Sequence, residues 1–278
     1  MDAAQPGPLI KCRSIWLSDV HLGSRYCKAE ELLQFLEIIE FETLYLVGDI
    51  IDLLAMKRRV HWPDSHNKVL RKIIKLSRRD GSRVVYVPGN HDYPFRTLVG
   101  SALGDIEIKR SVGHITATGQ RMLVIHGDEL DHAVRYSKLI RVFGDFAYEF
   151  LMGANHWVVT LRRWLGLRYW SLARWTKANV SKAGSAIAAY QDAAIKTARS
   201  KGYDGIICGH LHYPCLYVKE GIQYCNDGDW VENCSALIED TNGEFKLIRG
   251  ISSPKSATKM IFVDASKGSE PYHETVGT

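Results

Sequence analysis

The sequence has few cysteines, and none of them has a spacing that binds a structural metal. Six cysteines are scattered through 278 residues without a Cys-x-x-Cys pair: Cys12, Cys27, Cys208, Cys215, Cys225 and Cys234. This pattern is typical of free thiols in a reducing compartment, and it argues against a zinc ribbon or a disulfide scaffold. We therefore expect the cysteines to pack in the fold rather than to bind metal.

Long apolar runs and phosphate-binding glycine loops are also missing. No apolar stretch is long enough to span a bilayer, and residues 1–11 lack the charged and apolar regions of a signal peptide. No Gly-x-x-x-x-Gly-Lys motif is present, which excludes a P-loop enzyme. With 46% hydrophobic and 24% charged residues, the chain can bury a large core. We expect a cytoplasmic protein with one domain at 1–252, a helical insertion at about 130–184 and a flexible tail at 253–278.

What the sequence does contain is a series of polar clusters, each directly after a short apolar run. The clusters are Asp19-Val20-His21, Gly48-Asp49, Gly89-Asn90-His91-Asp92, His126-Gly127-Asp128 and Gly209-His210-Leu211-His212. The runs before them are residues 14–18, 43–47, 83–87, 122–125 and 205–208. Apolar runs of this length, bounded by Gly or Pro, predict strands buried on both faces. Ligands of layered α/β folds bind beyond such strand ends, so the clusters predict one shared site.

The donor atoms of these clusters indicate what the site binds. Carboxylate and amide oxygens mixed with imidazoles suit Mn²⁺, Fe or Zn²⁺ better than Ca²⁺ or a structural zinc. Two such ions about 3.5–4 Å apart can clamp a phosphoryl group and activate a water. Each cluster alone also has an ordinary interpretation, for example Gly-Asp as a turn or a helix cap. Their joint occurrence in this order favours a dinuclear phosphoester hydrolase.

Helix-like and hairpin-like segments complete the pattern. Residues 30–40, 65–79 and 185–200 are predicted to be helical, and β-α-β-α-β order predicts a layered α/β fold. After His212, residues 216–218, 222–224, 236–238 and 245–248 are predicted hairpin strands, separated by Glu-Gly, Asp-Gly and Asn-Gly turns.

The cluster order resembles the calcineurin-like metallophosphoesterase superfamily over roughly residues 13–250. The resemblance implies an α-β-β-α sandwich with two divalent ions, Mn²⁺ being expected and Fe or Zn²⁺ being alternatives. It assigns Asp19, His21 and His212 to the first ion, Asp49 to both ions, and Asn90, His126 and His210 to the second. His91 would stabilise charge or protonate the leaving oxygen, and Asp92 would orient His91.

The segment 134–180 is the most unusual part of the sequence. It holds 10 of the 28 aromatic residues, and its eight basic and two acidic residues give it a local charge of +6. A basic segment rich in Trp, Phe and Leu is typical of an element on a membrane surface. A helical cap that simply packs on the core, or a surface for single-stranded nucleic acid, remains an alternative.

This insertion, which precedes Gly-His-x-His, makes the chain similar to the UDP-2,3-diacylglucosamine pyrophosphatases of lipid A biosynthesis. Gly228-Asp229-Trp230 also resembles a segment of that family. The resemblance implies hydrolysis of a UDP-linked, doubly acylated glucosamine to lipid X and UMP, at the inner membrane surface. It implies substrate contacts by Asn179, Lys182, Asp131, Trp164 and Trp170.

His91 departs from this family, whose best-known members have Arg at that position. The departure leaves open another nucleotide-linked lipid, a phosphodiester or nucleic acid as substrate. A non-catalytic binding module is disfavoured, because all seven ligand positions are filled. A soluble Ser/Thr phosphatase is disfavoured as well, because Gly48-Asp49-Ile50-Ile51-Asp52-Leu53 lacks its Asp-Arg-Gly ending.

Overall fold

The computed structural model describes residues 10–132, 181–249 and 261–264. The chain divides into two compact units, one of Met1–Asp128 with Ile195–Thr278 and one of Glu129–Ala194. The strands are β1 Ile10–Lys11, β2 Ser14–Leu17, β3 Ile39–Glu40, β4 Thr43–Leu46, β5 Arg83–Tyr86, β6 Ala102–Leu103, β7 Ile106–Ile108, β8 Val112–Ile115, β9 Arg121–Val124, β10 Gly205–Cys208, β11 Cys215–Lys219, β12 Ile222–Asn226, β13 Ala236–Glu239, β14 Phe245–Arg249 and β15 Ile261–Asp264. The helices are α1 Ala29–Ile38, α2 Leu53–Arg58, α3 Asp64–Ser77 and α4 Ser181–Ser200, with short 3₁₀ helices η1 Tyr93–Leu98 and η2 Asp128–His132.

Two mixed sheets carry the polar clusters. The larger sheet has the order β15-β14-β13-β2-β4-β5-β7-β6, and the smaller one has the order β11-β12-β10-β9-β8. Strands β2, β4 and β5 are parallel, with Trp16 opposite Tyr45 and Tyr45 opposite Val85. Strands β9 and β10 are also parallel. The five strands predicted before the clusters are therefore confirmed, and parallel pairing brings the ends of neighbouring strands to one edge of each sheet.

Packing on both faces explains why these strands are almost wholly apolar. Between the sheets, Trp16 stacks on Tyr45 with ring centroids 5.2 Å apart, in a core that includes Val124 and Ile207 of the smaller sheet. The opposite face of the larger sheet packs with α1 and α3, whose large buried apolar residues are Leu32, Phe35, Leu36, Val69, Ile73 and Leu76. The arrangement confirms the predicted layered α/β sandwich.

The four strands predicted after His212 are confirmed as β11 to β14, and they form two hairpins that belong to different sheets. The β11–β12 hairpin turns at Glu220-Gly221, both in the left-handed region with φ of 52° and 76°, and it belongs to the smaller sheet. The β13–β14 hairpin belongs to the larger sheet, where β13 pairs with β2. Part of the predicted flexible tail forms β15, which pairs with β14. Ile261, Phe262 and Val263 favour a strand, but the Ser, Lys and Thr residues around them led to the prediction of a flexible tail.

No helix in the three described ranges combines the length and the apolar character needed to cross a bilayer. The predicted insertion at residues 130–184 lies mostly outside the described residues. Its described ends are the 3₁₀ helix η2 and the start of α4.

His66 on α3 gives the fold a pH-dependent contact. The side chain is 2% exposed, and its Nδ1 accepts a hydrogen bond of 3.0 Å from the backbone N–H of Gly23. Burial, and to a smaller extent the neighbouring His61, lowers the pKa of His66 to about 4. An unfolded histidine takes up its proton near pH 6.5, so the unfolded state binds more protons between these two values. The folded state must therefore lose stability as the pH falls through this window.

The substitution His66→Asn tests this contact, because the amide oxygen can accept the same hydrogen bond without titrating. Between pH 6.5 and pH 4 the wild type should lose about 1–3 kcal/mol more unfolding free energy than the variant. Urea unfolding at a series of pH values measures the difference. The control His61→Asn should keep most of the wild-type slope, because burial is the larger cause of the shift. Parallel pH curves for wild type and His66→Asn would contradict the assignment.

Candidate metal centre

The ligand positions have an unusual backbone. Asp19, His21, Asp49, His210 and His212 all have positive φ, at 50°, 54°, 54°, 65° and 50°. Residues with a Cβ seldom adopt this conformation, and such strain persists where the surrounding structure enforces it, commonly at functional sites. Here it is held by hydrogen bonds between strand ends, from Asp19 N–H to Gly48 C=O and from His21 N–H to Asp49 C=O. The ends of neighbouring strands are therefore hydrogen-bonded to one another at the predicted ligands.

One group of metal-capable atoms consists of Asp19, His21 and His212, whose ligand atoms lie within 4.8 Å of one another. Oδ1 of Asp19 is 3.0 Å from Nε2 of His212 and 3.8 Å from Nε2 of His21. Asp19 is fully buried and His21 nearly so. The structure thus brings together the three residues predicted to hold the first ion.

A second group consists of Asp19, Asp49 and His126, again within 4.8 Å. Nε2 of His126 lies 3.4 Å from Oδ2 of Asp49 and 3.3 Å from Oδ1 of Asn90. Nδ1 of His126 lies 2.8 Å from the carbonyl of Val47, which fixes the ring and leaves Nε2 as the ligand atom. The two groups share Asp19, and the bridging role of Asp49 remains a prediction.

The last predicted ligand, His210, adjoins both groups. Its backbone N–H donates to Oδ2 of Asp19 at 2.8 Å, and its ring centroid is 5.2 Å from that of His126. The structure therefore places all seven predicted ligands in one region of the unit that contains both sheets.

The residues fit a divalent cation. Nε2 of His21 and Oδ1 of Asp19 are buried, and neither makes a hydrogen bond of good geometry to a described residue, although Nε2 of His212 lies 3.0 Å from that oxygen. Leaving a buried polar atom unpaired costs about 1–3 kcal/mol, so such pairs of atoms require an explanation. A cation between them would satisfy both, since an unprotonated ring nitrogen and a carboxylate oxygen are metal ligands.

The charges of the site also favour the binding of a divalent cation. Burial alone would raise the pKa of Asp19, but His212 and His21 outweigh it and hold that pKa well below its usual range. His126 likewise keeps the pKa of Asp49 below its usual range against the effect of burial. Both carboxylates are therefore charged at neutral pH. Protons on the imidazoles compete with a metal for these ligands, so metal affinity should fall as the pH falls.

Asp52 is a functional residue that the sequence reasoning missed. Its Oδ1 lies 2.8 Å from Nδ1 of His91, and its Oδ2 lies 3.1 Å from Nδ1 of His21. Oδ1 also accepts the backbone N–H of Ala55 at 2.8 Å, which caps α2. Burial would raise the pKa of Asp52, but His21 and His91 lower it far below its usual range. One carboxylate thus orients a metal ligand and the predicted catalytic histidine.

Asp92 does not have the predicted role, because Nδ1 of His91 is bonded to Asp52 instead. The oxygens of Asp92 accept the backbone N–H groups of Ile50 and Gly89 at 2.8 and 2.6 Å, and the hydroxyl of Tyr86. Burial, followed by the nearby charge of Asp49, raises the pKa of Asp92. Asp92 therefore fixes the backbone of two ligand loops rather than the imidazole.

Close approach of the backbone to the ligands explains the glycines that begin two of the clusters. A Cβ on Gly89 would collide with Oδ1 of Asp49 and with the ring of His126. A Cβ on Gly209 would collide with Ser18 and with Oδ2 of Asp19. Only glycine lets these loops come so near the ligands.

The segment Gly228-Asp229-Trp230 supports the first group of ligands. The backbone N–H of Trp230 donates to the carbonyl of Asp19 at 3.1 Å, and Nδ2 of Asn233 donates to the carbonyl of His212 at the same distance. Asp229 holds the turn by accepting three successive backbone N–H groups from residues 231–233. The resemblance noted in the sequence therefore falls on residues that position metal ligands.

Arg96 joins the two loops that supply Asn90 and His126. Its Nη2 lies 2.6 Å from Oδ1 of Asp128, two residues after His126. Nε and Nη2 each donate to the carbonyl of Pro88 at 3.2 Å, two residues before Asn90. The guanidinium is largely buried, so the ion pair is more effective than an exposed one.

Replacing Arg96 by Met should weaken the binding of one of the two metal ions by about 10- to 100-fold, the usual effect of removing an outer contact of a metal site. The ion held by Asp19, His21 and His212 should be bound as before. Calorimetric titration with Mn²⁺ measures both constants. The control is Arg199→Met, which removes an exposed ion pair with Glu220. Unchanged constants in the Arg96 variant would show that the ion pair does not position the ligands.

The predicted substrate residues stay predictions. Asn179, Trp164 and Trp170 lie outside the described residues. Lys182 belongs to the first turn of α4, and Asp131 belongs to η2.

Two adjoining groups of carboxylates and imidazoles, at the strand ends of a layered α/β sandwich, define a metal-dependent phosphoesterase. The chain belongs to the calcineurin-like phosphoesterase family, whose profile matches residues 13–214. This membership confirms the predicted family and fold, and it confirms that the protein is a metal-dependent hydrolase.

Relatives and solved structures similar to the chain cover most of its length. A protein of Haemophilus influenzae (strain PittGG) named UDP-2,3-diacylglucosamine hydrolase is 22% identical over 258 residues, which is 85% of this chain and 98% of that protein. A dimetal phosphatase from Danio rerio is 13% identical and covers 86% of this chain and 96% of its own, with a TM-score of 0.41. Vacuolar protein sorting 29 from Cryptosporidium parvum is 10% identical, with 90% and 94% covered and a TM-score of 0.42.

Proposed function

We propose that the protein hydrolyses the diphosphate of UDP-2,3-diacylglucosamine to UMP and 2,3-diacylglucosamine 1-phosphate, with two Mn²⁺ ions held by the seven ligands. The observation that carries the substrate is the alignment with the Haemophilus influenzae protein, which extends over 98% of that protein. The resemblance of Gly228-Asp229-Trp230 to a segment of the lipid A enzymes supports the same substrate, and this segment lies beside Asp19.

The chain supplies the groups that this reaction needs. Bound divalent ions would neutralise phosphoryl oxygens and lower the pKa of a water. Asp19 and Asp49 provide the negative charge that retains them. His91, with Nδ1 fixed by Asp52, keeps Nε2 for the substrate, and its side chain is 32% exposed where that of Asp52 is 8% exposed. Nε2 can stabilise or protonate the leaving phosphate oxygen as water adds to phosphorus and the P–O bond of the anhydride breaks.

His91 also supports a second candidate, the hydrolysis of another nucleotide-linked lipid or a phosphodiester. The imidazole is the ordinary residue of the superfamily, whereas the lipid A enzymes that the chain resembles carry Arg. The site chemistry is the same for both candidates, and only the group attached to the phosphate differs.

The test is Mn²⁺-dependent release of UMP from UDP-2,3-diacylglucosamine dispersed in detergent, by wild type and by Asp49→Asn. UMP release by wild type alone would establish the reaction and the substrate. Cleavage of bis-p-nitrophenyl phosphate without UMP release would retain the hydrolase and reject this lipid.

We also propose that the protein works at the cytoplasmic face of the inner membrane as a peripheral protein. A substrate with two acyl chains resides in the bilayer, so its hydrolase must meet it at the surface. The basic, aromatic segment 134–180 would contribute to this contact.

A further inference from the structure

Large apolar side chains that face solvent are concentrated in two segments that follow residues of the metal centre. Among the described residues, nine are conspicuous: Leu54, Val60, Ile74, Tyr93, Leu98, Val99, Leu103, Ile115 and Val218. Six of them fall in residues 53–62 and 93–104, which we name the flanking segments. Single exposed apolar side chains are normal, whereas such a concentration marks an interaction site.

Both flanking segments start at the metal centre. Residues 53–62 follow Asp52, and residues 93–104 follow Asp92 of the cluster that contains Asn90 and His91. Oδ1 of Asp52 and Nδ1 of His91 lie 2.8 Å apart, so residues that closely precede the two segments are in contact. The second segment continues through η1 to β6, the edge strand of the larger sheet. The apolar side chains at the start of the segments, Leu54 and Tyr93, therefore follow Asp52 and Asp92 of the metal centre by one or two residues.

The charge of the flanking segments has one sign. Their 22 residues include no Asp or Glu, and the bases are Lys57, Arg58, Arg59 and Arg96. Arg96 is paired with Asp128, whereas Lys57 and Arg59 are exposed next to Val60, which is itself 69% exposed. Cations beside exposed apolar side chains are complementary to an anionic lipid surface, where the apolar groups enter the acyl boundary.

We infer that the flanking segments form a docking face for an anionic bilayer, made of residues that do not belong to the insertion at 134–180. This inference rests on the proposed function for its purpose, which is to hold the metal centre against a membrane that contains the lipid substrate. The binding itself requires no substrate, because the face would recognise anionic headgroups and the acyl boundary.

Co-sedimentation of the full chain with vesicles that contain no substrate tests the docking face. Wild type should bind phosphatidylcholine vesicles with 30% phosphatidylglycerol and should not bind phosphatidylcholine alone. Lys57→Glu combined with Arg59→Glu should weaken binding by roughly 25-fold or more, since each basic residue contributes about a fivefold factor at an anionic surface. Val60→Ser with Leu103→Ser should also weaken it, and salt should weaken wild-type binding.

The matched control is Ile115→Ser with Val218→Ser, which removes two equally exposed apolar side chains from the smaller sheet. This control should bind vesicles as wild type does. The docking face would be overturned if both flanking-segment variants bound vesicles as tightly as wild type does. It would also be overturned if the control lost as much binding as they do, or if wild type did not bind vesicles. A wild-type dimer in light scattering that Val60→Ser with Leu103→Ser converts to a monomer without any vesicle binding would overturn it as well.

Hydrolysis of detergent-dispersed substrate separates this inference from the proposed function. The docking variants should release UMP from micelles at the wild-type rate, because none of the changed residues belongs to the metal centre. Weaker vesicle binding by the docking variants, together with unchanged UMP release from micelles, would support the docking face. Failure of wild type to release UMP rejects the substrate, whatever the vesicles show.

Discussion

Asp49→Asn should lower kcat by about 10²–10³-fold or more on any phosphoester that the protein cleaves. The amide keeps the shape of the side chain but removes the negative charge next to His126, 3.4 Å away. It also replaces one of the two carboxylate oxygens by a nitrogen that cannot bind a cation. A loss of about 3–4 kcal/mol in the stabilisation of the transition state corresponds to this range.

Steady-state kinetics with Mn²⁺ and bis-p-nitrophenyl phosphate measures the effect of Asp49→Asn. The control is Asp105→Asn, which alters an exposed carboxylate that pairs with Arg78. Circular dichroism without metal checks that the variant is folded. A folded Asp49 variant with a kcat within threefold of wild type would show that the chemistry does not depend on this carboxylate.

Asp52→Asn should have an effect of comparable size, through the tautomer of His21 and through the loss of the negative charge that faces His91. The amide oxygen can still accept the N–H of Ala55, so the cap of α2 is retained. The amide N–H₂ would then face Nδ1 of His21, where Oδ2 of Asp52 now lies 3.1 Å away. Nδ1 must then become an acceptor, which moves the ring proton to Nε2 and blocks the ligand atom. A forced tautomer of this kind lowered kcat by about 10⁴-fold in the Ser-His-Asp triad.

We therefore expect Asp52→Asn to lower both the Mn²⁺ affinity and kcat, the latter by about 10²–10⁴-fold. Calorimetric titration and saturating-metal kinetics separate the two effects. A kcat that recovers fully at high Mn²⁺ would restrict the role of Asp52 to His21. A variant with wild-type affinity and wild-type kcat would contradict the assignment for both imidazoles.

The clustering of the predicted ligands could be derived from sequence because strand ends and donor atoms are local features. Asp19 and Asp49 each follow an apolar run by one or two residues, and parallel strands bring such positions to a common edge. Asp52 could not be distinguished in the same way, since an Asp at a helix start has an ordinary capping role. Its contacts with His21 and His91 depend on distances between separate loops.

The remaining features depend on contacts between residues that are far apart in the sequence, and these contacts could not be predicted. The sequence places Asp92 next to His91, yet the imidazole bonds to Asp52, 39 residues away. The turns at Glu220-Gly221 and around Asn242-Gly243 predict two hairpins, but only the pairing of β13 with β2 assigns the second to the larger sheet. The ion pair of Arg96 with Asp128 likewise joins loops that no local pattern connects.

The most direct test of the central claim is the electron paramagnetic resonance spectrum of the protein titrated with Mn²⁺. Two ions held by the adjoining ligand groups, at the separation of about 3.5–4 Å that is usual for two-metal sites, would be exchange-coupled. We predict a coupled dinuclear signal that saturates at two Mn²⁺ per chain and is replaced by a mononuclear signal in Asp49→Asn. A wild-type protein that binds a single uncoupled Mn²⁺, or none, would contradict the two-metal centre.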